Sequence, residues 1–461
     1  MKQITIFLVL VFASIASGRA QQITRLTLDD AIAFAKENAA ELKNAELEIK
    51  TSQEVVKNVI STGLPQITAS GNFTHNPQIA ALQFPDFISP AVYSVLISEG
   101  LLTQDRFQAG SSQTVQFGAS SSMTGMVNLS QLIFDGTYFL GLKAAKEYIH
   151  MAELLKDMSE VTLIESVKKA YFGALIGEQN LLLMRQSLVQ LNKTLEDSKI
   201  LKTEGYAEQI DIDRLQLSLT KLDAQVQNME MQNNILHQLL KVTMGMKLNQ
   251  AIVLDGNLTD YLTQLSPQEN FSIKDRVEYK ILSQQLILDS LNIKRYRVGY
   301  MPSLHLNASY QQNSFASAPE FKDLGKTWNP GTTYGFNLSI PIFDGFYKQT
   351  KISQAKIKYQ QDQNTLDQTT NNLLFQVEQA RLNVKMQDNS LAAQAKAKEL
   401  ANGIYSTVRI KYNEGLASSF ELILAENDMI TSEIDYSNAL YQRLLAQIEL
   451  DKSLGNINPN K

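Results

Sequence analysis

Histidines, carboxylates and one well-placed tyrosine are the side chains of this 461-residue chain that could do chemistry, and their spacing decides which chemistry. The four histidines, His75, His150, His237 and His305, are scattered with no metal-ligand spacing. There is no cysteine, so disulfides and thiolate metal sites are unavailable. Neither a G-x-S-x-G elbow, a P-loop nor a dinucleotide fingerprint occurs. No catalytic residue, metal or cofactor is therefore expected. Carboxylates do gather at two places. Glu208, Asp211 and Asp213 follow Glu204-Gly205, while Glu414 and Glu421 flank Gly415, with Tyr412 just before it. Rings of such acids would attract cations and repel anions. An acid in a first helical turn also suits the helix dipole, and Ser418-Ser419-Phe420-Glu421 is a capping-box pattern. Both readings stay open here.

The elements that must position these residues come in duplicate. TGMVNLSQLIFDG at 124–136 returns as TYGFNLSIPIFDG at 333–345, an offset of 209. Glu204-Gly205 returns as Glu414-Gly415, and Met244-Gly245 as Leu454-Gly455, both at 210. Leu64-Pro65 pairs with Met301-Pro302 at 237, so the first copy carries an insertion of about 28 residues between Pro65 and Phe134. One structural unit is used twice. Tyr334, Phe336, Leu338 and Ile340 alternate with Thr333, Gly335, Asn337 and Ser339, which is a strand with one apolar and one polar face. The same period runs through Leu304, Leu306, Ala308 and Tyr310, through Ile67, Ala69 and Phe73, and through Val115 to Leu129. Each repeat thus contributes two strands, four per chain.

After each FDG the period becomes helical. Proline is absent from 91 to 266 and from 342 to 458, in sequence rich in Ala, Leu, Gln, Lys and Glu. Leu215, Leu219, Leu222, Val226 and Met229 form a heptad seam, as do Leu373, Val377, Ala380 and Val384. Helices broken at Gly205 and Gly415 and returning to Gly245 and Gly455 are expected. Phe134-Asp135-Gly136 and Pro341, Phe343, Asp344 and Gly345 mark the strand-to-helix junctions, where the aspartates are placed to cap the long helices. The expected layout is a signal peptide at 1–20 and a first repeat at 21–245, with strands near 64–74 and 113–132 and a helical hairpin at 136–245. A linker at 246–266 follows. The second repeat is 267–455, with strands near 302–311 and 332–341 and a hairpin at 345–455, and a tail is left at 456–461.

Lys2, the apolar run from Ile4 to Ala16, and the small residues Gly18 and Ala20 describe a secretory signal. The net charge of −5 argues against a nucleic-acid partner. No later stretch reaches the ~20 apolar residues of a membrane helix. The strands remain, with aromatics gathered at their ends, as suits a membrane–water interface. Four such strands cannot close a sheet in lipid, where each unpaired backbone group costs several kcal/mol. Three chains would give a 12-stranded barrel; two would give an eight-stranded one filled by its own side chains. The fold class expected is an α+β membrane protein, a trimeric barrel continued by long helices. A secreted coiled-coil scaffold or adhesin explains the heptads but not the four alternating segments.

The chain resembles the TolC-like outer-membrane efflux family over nearly all of its mature length. IPIFDG at 340–345 is similar to that family's strand-to-helix signature, and KYNEGLASSFELILAE at 411–426 to its helix–turn–helix tip. Phe346 stands where the family often has a second glycine, and the first copy lacks the proline. The resemblance implies a homotrimer in the outer-membrane bilayer and a helical barrel in the periplasm, where an adaptor protein and, through it, an inner-membrane pump dock. Gly205, Tyr206, Ala207, Gly415, Leu416 and Ala417 correspond to the docking turns. Tyr412, Asp211, Asp213 and Glu421 correspond to a periplasmic gate, although Ala417 stands where the family has an arginine.

Overall fold

The computed structural model describes residues 24–86, 88–106, 112–116, 118–263, 271–316 and 325–457. The expected signal segment, residues 264–266 of the linker and residues 458–461 of the tail lie outside them. Two compact units cut across the sequence repeats. One gathers Val55–Ala145 and Leu291–Gln354; the other gathers Met1–Glu54, Lys146–Ser290 and Ala355–Lys461. The repeats are therefore units of sequence, and each contributes strands to the first body and helices to the second.

The first body is built on one sheet. Strands β2 (Gln66–His75), β5 (Ser121–Phe134), β7 (Ser303–Ala316) and β8 (Asn329–Ser339) pair antiparallel in the order β2-β5-β7-β8. Period-two alternation is what lets these segments serve two different surroundings. The stretch expected as one strand at 113–132 is divided. β4 (Gln113–Gln116) leaves the main sheet to pair with β3 (Ala81–Phe84), and the short helix α3 (Ile88–Ser98) lies between those two. The insertion of the first repeat is thus a hairpin and a helix. The break falls at Gly118, whose φ of 134° is open to glycine alone.

The second body is helical. Short strands β1 (Thr24–Leu26) and β6 (Ile252–Leu254) pair in parallel beside α1 (Leu28–Asn38). α2 (Ala40–Thr62) and α7 (Val277–Val298) lead toward the strands; α6 (Leu258–Thr263) is a single short piece. From the junctions run α4 (Gly136–Thr203) and α8 (Tyr347–Asn413), 68 and 67 residues, each about 100 Å at 1.5 Å per residue. α5 (Gln209–Met244) and α9 (Ser419–Leu454) return. Leu26, Ala31, Val167, Tyr171, Leu240, Met244, Leu258 and Leu444 form the main core. The Tyr171 hydroxyl, with one proton to donate, lies 2.6 Å from the Asp255 carbonyl oxygen and 2.9 Å from that of Leu26, which also accepts from the Asp255 amide at 3.0 Å. A second cluster (Leu191, Leu195, Ile212, Leu215, Leu222, Val226 and Ile430) continues toward the turns, and it includes the expected heptad seam. Among the described residues no helix is long and apolar enough to cross a membrane.

Candidate channel wall and hairpin tips

Directly opposed residues of an antiparallel sheet share a face, so the register sorts the wall. Ile67, Leu129, Ala308 and Tyr334 stand in one row, Ala69, Val127 and Tyr310 in the next, and Leu306 opposes Phe336 and Leu304 opposes Leu338. The other face carries Gln66, Ser130, Asn307 and Gly335, then Thr68, Asn128, Ser309 and Thr333. His305 lies on it, opposite Asn337. Among the described residues the apolar face is left largely open on its edge strand: Tyr334 is 81% exposed and Phe336 72%. A bulge between Leu132 and Phe134 brings Phe134 opposite Leu304, onto the apolar face. β2 and β8 are open edges, and alternation across four strands makes them antiparallel to each other.

Both junctions end their strands with an aspartate. Asp135 accepts from the Thr137 amide at 2.7 Å and its hydroxyl at 2.6 Å, and α4 begins at once at Gly136. Gly136 allows no side chain, since a Cβ there would lie 2.2 Å from Val298 Cγ1. In the second copy Gly345 and Phe346 are both left-handed, with φ of 65° and 66°, so α8 starts two residues later than expected, at Tyr347. Asp344 then accepts from the Lys348 amide at 3.2 Å. Phe346 carries the conformational cost that a glycine avoids, while packing edge-on to Phe343 at 5.5 Å. Phe134 and Tyr138 both pack on Phe139, at 6.2 and 5.4 Å between ring centroids. Pro341 follows the end of β8.

The two tips are closely alike. Tyr206 N–H donates to Leu201 O (2.9 Å) and Gly205 N–H to Lys202 O (3.0 Å). Leu416 and Gly415 repeat the pattern on Lys411 O (2.7 Å) and Tyr412 O (3.0 Å), two Schellman turns with glycine in the left-handed position. Tyr206 and Leu416 stand 81% and 73% exposed, with Ala207 and Ala417 beside them. The acids mostly cap. Glu421 accepts from the Ser418 amide at 2.8 Å, and Asp211 from the Glu208 amide at 3.3 Å. Asp213 accepts from Gln209 Nε2 at 2.6 Å.

Three contacts tie one hairpin to the other at this end. Ser198, fully buried, donates to Thr194 O at 2.7 Å, which leaves its oxygen to accept from the Tyr412 hydroxyl at 2.7 Å. Asp211 accepts a second bond from the Ser419 hydroxyl, and Arg214 lies over the Phe420 ring at 5.8 Å. Tyr412 and Asp211 thus act as ties to different partners, and Asp213 and Glu421 bond within their own hairpin. Ser198, Ser419, Arg214 and Phe420 escaped sequence reasoning, because only the side-by-side seating of two hairpins some 210 residues apart gives them a role. Glu426, on the same returning helix, is 4% exposed, and burial raises its carboxyl to about 7 against the pull of Arg409. No group of three metal-type side chains occurs among the described residues. His237 instead pairs with Glu178 at 2.9 Å and His75 with the Ser121 hydroxyl at 2.9 Å.

Residues 288–456 match the family model of the outer membrane efflux protein. Over that stretch the chain is similar to the outer membrane efflux protein family. It is 21% identical to the outer membrane protein TolC of Vibrio cholerae over 73% of its own length and 78% of that protein's. It is 22% identical to the proteases secretion protein PrtF of Dickeya chrysanthemi over 98% and 92%. Its fold matches the crystal structure of CusC with a TM-score of 0.71, at 15% identity over 94% of this chain and 92% of that one. The matched model is described as an outer membrane efflux protein, and these relatives are an outer membrane protein and a protease-secretion protein.

Proposed function

We propose that this TolC-like chain is the exit duct of a tripartite efflux or secretion assembly, passing small molecules or proteins out of the periplasm. The observation that carries this is the four-stranded sheet: among the described residues it is apolar and exposed on one face, polar on the other, and open at both edges. In lipid those edges must be paired. A second copy's β2 laid against β8 continues the antiparallel alternation, and three copies make the 12-stranded barrel, polar side inward. α8 supports the same assembly. Phe375, Leu382, Leu400, Ile404 and Ile410 are each more than half exposed along it, a stripe suited to another copy.

The exposed, small-residue turns Gly205-Tyr206-Ala207 and Gly415-Leu416-Ala417 are the proposed docking surface for an adaptor, and through it a pump. Asp211, Asp213, Tyr412 and Glu421 are the proposed gate, with the ties of Tyr412 to Ser198 and Asp211 to Ser419 holding the hairpins together. In a trimer Asp211 and Glu421, three copies of each, would place six carboxyls around one axis, a field that favours cations. The expected result in planar bilayers is a cation-selective channel whose preference is lost in the Asp211→Asn, Glu421→Gln double variant. Unchanged selectivity with a lowered melting temperature would confine both acids to the caps.

A further inference from the structure

Two acids of the returning helix α9 meet very different surroundings. Glu433 accepts from Asn402 Nδ2 of α8 at 2.8 Å and pairs with Lys398 Nζ at 2.8 Å. Those bonds fix the antiparallel register of the hairpin. Seven residues toward the tip from Glu433 comes Glu426, and the same step along α8 leads from Lys398 to Tyr405 and from Asn402 to Arg409. Glu426 is buried in one stripe with Leu422, Ala425 and Ile430. Ile430 joins the apolar cluster to which α4 gives Leu191 and Leu195, and α5 gives Ile212 and Leu215. The Oε1 atom of Glu426 is sealed from solvent and has no donor. A bare carboxylate in that seam would have left water for a site that returns no hydrogen bond to this oxygen, so the seam favours the neutral acid.

We propose that Glu426 is a proton-operated latch on the α8–α9 hairpin: uncharged it packs in the seam, and on ionising it loosens the hairpin beside the tip. The groups level with it on α8 are Tyr405 and the exposed Arg409. Burial, then the Glu426 carboxyl, raises the Tyr405 hydroxyl above its usual range. α5 turns Asp211 and Arg214 to Ser419 and Phe420, about two turns nearer the tip. On α9 itself Asp428 is exposed, Glu421 is held at the cap by Ser418, and Glu433 is paired with Lys398. Burial outweighs the pull of Arg409 and lifts the Glu426 carboxyl to about 7, which agrees with the sealed, donorless oxygen.

A raised carboxyl binds its proton more tightly in the closed hairpin than in an opened one. Its contribution is fully present below the ordinary glutamate value and is lost as pH rises through about 7. The latch is thus fastened in acid and slack above neutrality. The stretch of α8 it holds lies between Asn402, bonded to Glu433, and Tyr412, bonded to Ser198. A slackened seam would therefore act on the tie assigned to the gate. The latch is a property of the hairpin by itself, and only its consequence for opening rests on the channel reading.

The test uses the full-length protein in detergent, with amide hydrogen exchange of segments 405–413 and 419–430 compared at about pH 6 and about pH 8, after correction for base catalysis of exchange itself. Wild type should open these segments about tenfold more often at the upper pH. Glu426→Gln, which keeps the shape of the neutral acid, should stay as closed at the upper pH as at the lower. Infrared difference spectra of wild type minus this variant should carry a protonated-carboxyl band at the lower pH alone. Arg409 is exposed, so Arg409→Met serves even where the glutamine variant does not fold, and losing the cation should carry the opening to higher pH. Equal pH responses in wild type and Glu426→Gln, absence of the band, or an unmoved transition in Arg409→Met would overturn the latch. None of these outcomes touches barrel closure, which strand crosslinking tests separately.

Discussion

Phe336→Arg is expected to keep the protein out of the membrane, whereas Asn337→Arg, one residue along the same strand, is expected to be tolerated. Phe336 is mid-strand on the edge strand β8, opposite Leu306, and 72% exposed. Asn337 points to the polar face opposite His305. An arginine on the lipid face near the bilayer midplane costs about 2–4 kcal/mol, and in a trimer each copy bears it. The polar face meets water and presents no such barrier. The measurement is the abundance of each variant in the outer-membrane fraction, with urea unfolding of protein refolded into lipid vesicles. Equal sensitivity of the two positions would reverse or abolish the face assignment.

The second large effect is expected at Gly245. Three glycines end helices in nearly the same left-handed conformation, with φ of 73° at Gly245, 73° at Gly415 and 74° at Gly455. Their surroundings differ. A Cβ at Gly415 would meet nothing within 4 Å, and at Gly455 its nearest neighbour would be Arg276 Cδ at 3.7 Å. At Gly245 it would lie 2.6 Å from the Asn38 carbonyl oxygen and 3.1 Å from Ala39 Cα, both backbone, where α1 gives way to α2. Alanine at Gly415 or Gly455 should therefore cost only the left-handed term, about 1–2 kcal/mol. Alanine at Gly245 must also displace the Asn38–Ala39 backbone, for about 2–5 kcal/mol in total. Thermal unfolding of the three variants checks this, and a Gly245→Ala melting temperature matching that of Gly455→Ala would contradict it.

Much of this architecture is legible in the residues because it depends on local period. Alternation through Tyr334–Leu338 and Leu304–Tyr310 fixes strand faces, proline-free stretches fix the long helices, and Gly205, Gly245, Gly415 and Gly455 fix their ends. The errors are local too. Val115 continues the alternation of Val127 and Leu129, so period alone joins β4 to β5; only the positive φ of Gly118 and the pairing of Leu82 with Val115 separate them. What no period could disclose is contact between distant segments. Ser198 meets Tyr412 across 214 positions and Ser419 meets Asp211 across 208, and each serine by itself is an ordinary helix residue. The grouping of strands from both repeats in one body and helices in another has the same origin. A repeat that cannot bury its own apolar face finds its partner in the other copy.

The central claim is that β8 of one copy pairs with β2 of the next until three chains close a barrel. The chain has no cysteine, so introduced thiols report on this contact alone. Cysteine at Thr68 on β2 would be combined in turn with cysteine at Thr333, Gly335 or Asn337 on β8, all on the polar face, and oxidised in isolated outer membranes. For the combination in register, a covalent ladder ending at three chains is expected, abolished by reduction. A ladder ending at two chains, or none at any combination in protein verified to be folded and membrane-bound, would contradict the trimeric barrel.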